Sequence, residues 1–245
     1  MAQQQIPSLR QFPIAFAHRG AKAHAPENTL PAFSLALRLG SNGLETDAWL
    51  TSDGVVVLDH DGVVRRRGRK RPISEVLASD LPDHIPTLEQ LFQDSGTNFD
   101  LSVDIKDDAV TPRLIAVAEN AGFPLSQLWV CHYRHSEVVS IRRMNSDIRV
   151  VDSTRLSRLK NGLEARSSEN SQAGIDAINL HFTDWSGGLV TLAHRFNLLA
   201  FGWDIQFPHQ LDNGFRMGLD AVYSDFVDRM VDAYRAHTGV LPPRP

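Results

Sequence analysis

The sequence predicts an α/β fold, a TIM-like (β/α)8 barrel, and three observations point to it. Short β-rich apolar runs alternate with amphipathic stretches along most of the 245 residues, the rhythm of a parallel sheet joined by crossover helices. Nine such runs occur, one more than a regular barrel holds. Two of them are joined only by Thr51-Ser52-Asp53-Gly54, far too short for a parallel crossover. Residues 44–60 are therefore a β-hairpin excursion, and eight strands remain to close a barrel.

In chain order the strand candidates are 14–17, 44–50, 55–58, 101–105, 128–131, 148–151, 177–180, 198–203 and 221–223. Helical spacing of apolar residues predicts helices at 29–39, 87–92, 112–120, 136–144, 189–195 and 226–236. Asn28 or Thr29 can cap the first helix, a cap role being favoured for Asn28 over direct substrate contact, and Pro31 is tolerated in its first turn. The polar run 167–171 reads as a loop. The resulting domain boundaries are an N-terminal extension at 1–13, a barrel at 14–237 and a flexible tail at 238–245.

Lys plus Arg number 25 against 29 Asp plus Glu, a net charge of −4. No basic footprint for nucleic acid or an anionic membrane follows from that balance. Arg65-Arg66-Arg67-Gly68-Arg69-Lys70-Arg71 is a local exception, read as a solvated basic loop. Cys131 is the single cysteine, so no intrachain disulfide forms, and its place at a strand end reads as a buried thiol. Residues 1–13 lack the pattern of a signal peptide and no run is long enough to span a bilayer, so the expected address is the cytoplasm.

Chemistry concentrates at strand ends. Glu45 and Asp47 are one residue apart, so on a strand both leave from the same face. They are either an ordinary acidic pair on a solvated edge or, with Asp104 as a third oxygen donor, ligands of a divalent cation. His18 and His60 each follow an apolar run where a buried strand opens into a loop. Either alone reads as a structural residue; as a pair they supply the two proton transfers that phosphodiester cleavage needs. Arg19 and Lys106 can bind phosphate oxygens or serve as counter-charges for the acids.

These segments, in order, resemble the glycerophosphodiester phosphodiesterase family. The resemblance rests on Ala17-His18-Arg19-Gly20, Pro26-Glu27-Asn28-Thr29, Glu45-Thr46-Asp47, Thr51-Ser52-Asp53-Gly54 and His60-Asp61, then Ile85-Pro86-Thr87-Leu88-Glu89, Asp104-Ile105-Lys106, Trp203 and Ala221-Val222-Tyr223-Ser224-Asp225. It implies hydrolysis of a small-molecule glycerophosphodiester to glycerol 3-phosphate and an alcohol, with Mg²⁺ or Ca²⁺. His18 and His60 would be the acid/base pair, Glu45, Asp47 and Asp104 the metal ligands, and Arg19 and Lys106 the phosphate binders. Trp203, either a pocket wall or a core residue, joins Tyr133 and His132 as the expected substrate pocket.

The chain departs from the family pattern in several places. Asp104 stands where glutamate is usual, and Asp204-Ile205-Gln206 replaces the threonine, valine and asparagine that commonly follow the tryptophan. His132-Tyr133 replaces a small and aromatic pair, and little room is left for the family's insertion after His60-Asp61. Two other activities suit the same residues: a lysophospholipase D-like reaction, and a barrel that binds a phosphorylated ligand without turnover.

Overall fold

A computed structural model describes residues 5–66 and 68–245. The chain opens with β1 (Ile14–Ala17), α1 (Leu30–Arg38), β2 (Gly43–Leu50), β3 (Val56–Leu58), β4 (Val63–Arg66), β5 (Arg69–Pro72) and α2 (Leu88–Ser95). It continues through β6 (Asp100–Ile105), α3 (Val110–Asn120), β7 (Leu128–His132), α4 (His135–Met144), β8 (Arg149–Thr154) and α5 (Gly162–Gln172). It closes with β9 (Ala177–His181), α6 (Gly187–Arg195), β10 (Leu199–Trp203), α7 (Pro208–Arg216), β11 (Ala221–Ser224) and α8 (Val227–Thr238).

Among the described residues, β1, β2, β6, β7, β8, β9, β10 and β11 are parallel neighbours in that order, and β1 pairs with both β2 and β11 to close the barrel. The short connection after β2 behaves as its length requires. β3 turns back antiparallel on β2, with Ala48 opposite Leu58 and Leu50 opposite Val56, which carries His60 to the rim above β2.

Strand alternation sorts side chains into two cores. Phe16, Trp129, Cys131, Val151, Ala177, Phe201 and Tyr223 fill the barrel interior. The opposite faces, such as Ala15, Leu101, Val103, Val130 and Val150, pack against the helices. Cys131 is buried as expected, its Sγ 3.3 Å from Ser102 Oγ, and burial raises its thiol pKa well above the usual range.

Several expectations need correction. The basic run is not a plain loop: Val63 opposes Pro72 and Arg65 opposes Lys70 in a second, two-stranded sheet. Val64 roots this hairpin in a small cluster with Val57 and Ile73, while the side chains of β5 are exposed. Arg67, part of that run, and residues 1–4 of the N-terminal extension lie outside the described residues. The polar run 167–171 lies inside α5. Its inward face is polar because Asn170 Nδ2 donates to the buried Asp152 carboxylate at 3.0 Å, and Arg166 pairs with the same group at 3.1 Å. A helix that buries a polar network lacks the apolar period that reveals most helices. Helix α7 escapes detection for a related reason, since Pro208 and Gly214 read as breakers. Pro208 occupies the first turn, where its missing N–H costs nothing.

Ser8, Leu9 and Arg244 lie against the lower end of the barrel. Ser8 Oγ and the Leu9 amide donate to Asp220 Oδ1 at 2.6 and 2.7 Å, and Arg244 donates to the Leu37 carbonyl at 2.8 Å. No helix among the described residues is long and apolar enough to cross a membrane.

Gly20 shapes the loop that follows β1. Its φ is +76°, and a Cβ there would meet the Ala32 carbonyl carbon at 2.8 Å. Gly54 has a similar φ of +78° but open space around it. Thermal or urea denaturation should therefore separate two identical changes. Gly54→Ala should cost about 1–2 kcal/mol, the ordinary penalty of a left-handed alanine, and Gly20→Ala roughly 3 kcal/mol or more. Equal losses would contradict the close packing assigned to Gly20.

Candidate active site

The β1–α1 loop is folded around a charged cluster at the upper end of the barrel. Arg19 and Asn28 both adopt left-handed backbone, at φ 52° and 54°, conformations that cost energy for residues other than glycine. The two are tied together, since the Asn28 amide donates to the Arg19 carbonyl at 3.0 Å. The Arg19 amide in turn donates to Glu45 Oε2 at 2.8 Å. Thr29, not Asn28, caps α1, accepting from the Ala32 amide. The Asn28 side chain is thereby free to reach β2, where its Nδ2 donates to Asp47 Oδ2 at 3.0 Å and its Oδ1 accepts from Thr46 Oγ1 at 2.8 Å.

Glu45 and Asp47 leave β2 on one face, and strand register sets Asp104 of β6 directly beside Asp47. Carboxylate oxygens of all three lie within 4.8 Å of one another. Burial pushes the Glu45 carboxyl well above the ordinary carboxylate range, and the charges of Asp47 and Asp104 add to the rise. Cationic partners offset part of this repulsion. Lys106 Nζ lies 2.9 Å from Asp47 Oδ1 and 3.4 Å from Asp104 Oδ2. Arg19 Nε lies 3.3 Å from Asp47, while its Nη1 is held by both oxygens of Glu27 at 3.0 and 3.1 Å.

Three carboxylates set this close repel one another, and a divalent cation among their oxygens would relieve that repulsion. The donors are all hard oxygens, the chemistry that suits Mg²⁺ or Ca²⁺, so the residues present fit such an ion.

Two histidines face the same cavity, of about 380 Å³, which His18, Arg19, Glu45, His60, Asp104 and Lys106 line together. His18 Nδ1 is 2.6 Å from Asp225 Oδ1, and His60 Nδ1 is 2.9 Å from Asp61 Oδ1. A carboxylate can only accept, so each ring donates from Nδ1 and keeps Nε2 for proton exchange. Partial burial works against the charge on His18, but Glu45 and then Asp225 outweigh it and raise its pKa.

Across the barrel, Ser153, Asn179, Trp203, Asp204 and Tyr223 complete the lining. Trp203 is a wall residue: the edge-to-face His181 ring sits 4.5 Å from it, centroid to centroid. His132 and Tyr133, expected in the pocket, do not line it. Trp129 and Cys131 face the barrel interior, so strand alternation turns His132 outward, where its Nε2 meets Asp108 at 3.2 Å. Tyr133 is exposed beside it.

Asp225 and Glu27 are positioning residues that the sequence presents only as parts of the family signature. Neither carries a local signal for its partner; Asp225 reaches His18 because β11 neighbours β1 in the closed barrel. Ser153 escapes a search for apolar strands because β8 runs three residues beyond its apolar part, through Asp152, Ser153 and Thr154.

The profile of the Glycerophosphoryl diester phosphodiesterase family matches residues 18–229. A glycerophosphodiester phosphodiesterase from Caldanaerobacter subterraneus is 22% identical over 245 aligned residues, covering 91% of this chain and 98% of the relative. The crystal structure of the Thermotoga maritima glycerophosphodiester phosphodiesterase superposes with a TM-score of 0.77 at 20% identity, over 90% of this chain and 97% of that one. An Oleispira antarctica phosphodiesterase, solved with the product sn-glycerol-3-phosphate, gives 0.75 at 21% identity, over 91% and 96%.

Asn28 joins backbone strain to two buried side-chain hydrogen bonds. Asn28→Ala should lower unfolding free energy by about 2–4 kcal/mol, summing a left-handed alanine and the unpaired Asp47 and Thr46 oxygens. A change below about 1 kcal/mol in urea denaturation would contradict that role.

Proposed function

The chain belongs to the glycerophosphoryl diester phosphodiesterase family, and from that premise we propose that it hydrolyses glycerophosphodiesters to sn-glycerol 3-phosphate and an alcohol, with Glu45, Asp47 and Asp104 holding Mg²⁺ or Ca²⁺. The observation that carries this reading is the cavity shared by two carboxylate-held histidines and the three-acid cluster. When bound, the ion supplies positive charge to the phosphoryl oxygens.

The chain's own groups do the rest. Arg19 and Lys106 line the cavity as donors toward the phosphodiester anion, and their positions are set by Glu27, Asp47 and Asp104. One histidine takes a proton at Nε2 from the attacking water or substrate hydroxyl as its oxygen bonds to phosphorus; where the hydroxyl attacks, the cyclic phosphate so formed is then opened by water to give glycerol 3-phosphate. As the bond from phosphorus to the alcohol oxygen breaks, the other histidine delivers a proton to that oxygen. Asp225 and Asp61 hold the rings through Nδ1, which leaves Nε2 of each as the exchanging nitrogen, that of His18 lying 3.8 Å from Glu45 Oε2. The single, buried cysteine suits a reducing cytoplasmic compartment.

Phosphorus NMR of glycerophosphocholine with the protein and Mg²⁺ should show glycerol 3-phosphate accumulating. His18→Ala and His60→Ala should each slow this by about 10²-fold or more. Chelation should abolish it, with recovery on adding Mg²⁺ or Ca²⁺. Full activity in either variant, or in excess chelator, would sink the proposal. Asp225→Asn preserves shape but not charge, and should reduce the rate by at least about tenfold while leaving the fold intact; wild-type turnover would remove Asp225 from the mechanism.

A further inference from the structure

The half of the cavity opposite the acid cluster has its own chemistry, and the role assigned to it rests on the glycerophosphodiesterase reading. Val151, Ala177 and Phe201 point into the barrel, so Ser153, Asn179 and Trp203 stand in phase above them on β8, β9 and β10. Asn179 is buried. Its Nδ2 donates to Ser153 Oγ at 3.3 Å, whereas its Oδ1 is buried without a partner. An orphaned acceptor in a cavity wall costs stability unless a ligand supplies a donor.

Asp204 follows Trp203 with φ 62°, left-handed backbone that aspartate and asparagine tolerate better than most residues. This bend keeps the carboxylate at the cavity instead of continuing the strand. Both oxygens are oriented: His181 Nε2 is 3.0 Å from Oδ2, and Gln206 Nε2 donates to Oδ1 at 3.2 Å. The side chain is still half exposed. Arg155, 5.7 Å from the centre of the Trp203 ring, does not cancel the charge, because Asp184 holds it through two bonds of 2.7 and 3.2 Å.

With a divalent cation held by the acid cluster the cavity would be polarised. Arg19, Lys106 and that ion would stand on one side, and an anionic carboxylate, an unfilled acceptor and an aromatic wall on the other. A zwitterion matches this arrangement, with the phosphodiester toward the cations and a positive group toward Asp204.

We infer that Asn179, Trp203 and Asp204 form the subsite for the departing alcohol and select a protonated amino alcohol. Its ammonium N–H groups reach Asp204 and Asn179 Oδ1, and Trp203 contributes a cation–π face. A neutral polyol fills the hydrogen bonds but leaves the carboxylate without a counter-charge. A trimethylammonium group answers the charge but gives Asn179 no donor.

The test compares kcat/KM of the Mg²⁺-loaded protein on glycerophosphoethanolamine, glycerophosphocholine and glycerophosphoglycerol. The ethanolamine diester should exceed the glycerol diester by roughly three- to tenfold, the range of a partly exposed ion pair with a cation–π contact, with the choline diester between them. Asp204→Asn keeps a residue suited to left-handed backbone, and should bring the ethanolamine-to-glycerol ratio toward one. A glycerol diester cleaved as fast as the ethanolamine diester would overturn the inference. So would an Asp204→Asn variant that slows all three diesters equally, since the subsite would then hold the common glycerol end. Choline ahead of ethanolamine would overturn the inference as well, since a trimethylammonium group has no N–H to give Asn179 Oδ1. No turnover of any diester would strike the phosphodiesterase reading itself and this inference with it.

Discussion

Three carboxylates held on neighbouring strands are the constraint on which the rest of this structure turns. Glu45 and Asp47 share one face of β2, register places Asp104 beside Asp47, and the first two are almost wholly buried. Like charges at this separation in a low-dielectric interior repel strongly unless cations are fixed nearby. The loop after β1 is shaped by that demand. It presents the Arg19 guanidinium and backbone amide and the Asn28 amide group to the acids, and it accepts two left-handed residues and a crowded glycine to do so.

The same charges organise the chemistry. Lys106, two residues after Asp104 in the chain, bridges Asp47 and Asp104, so the residues that balance the acids also line the cavity into which a phosphate would fit. His18 lies between Glu45 and Asp225, so its proton affinity is governed by the acid cluster on one side and its positioning partner on the other. Barrel closure makes this possible, since Asp225 follows the last strand and His18 the first.

Much of this is legible in the sequence because it depends on short periods. The Glu45 and Asp47 pair follows from the two-residue period of a strand, and the hairpin at 51–54 follows from chain length alone. The same period, applied to Trp129 and Cys131, turns His132 away from the pocket. The features that stay hidden have no local signature. Asp225 acts on a residue 207 positions away. Asn28 looks like a helix cap until Thr29 is seen in that place. Helix α5 conceals its inner face by burying polar groups, and the polar upper end of β8 conceals Ser153. Polar residues such as Ser153 that end strands are poor markers of secondary structure because they line the cavity instead of packing in a core.

Anomalous diffraction from crystals grown with Mn²⁺, used as a visible stand-in for Mg²⁺ or Ca²⁺, tests the central claim most directly. A single strong peak within about 2.0–2.6 Å of carboxylate oxygens of Glu45, Asp47 and Asp104, lost in Asp47→Asn, is the expected result. A wild-type crystal with no peak at these three residues, or with its Mn²⁺ bound elsewhere, would contradict the assignment of this cluster as a metal centre.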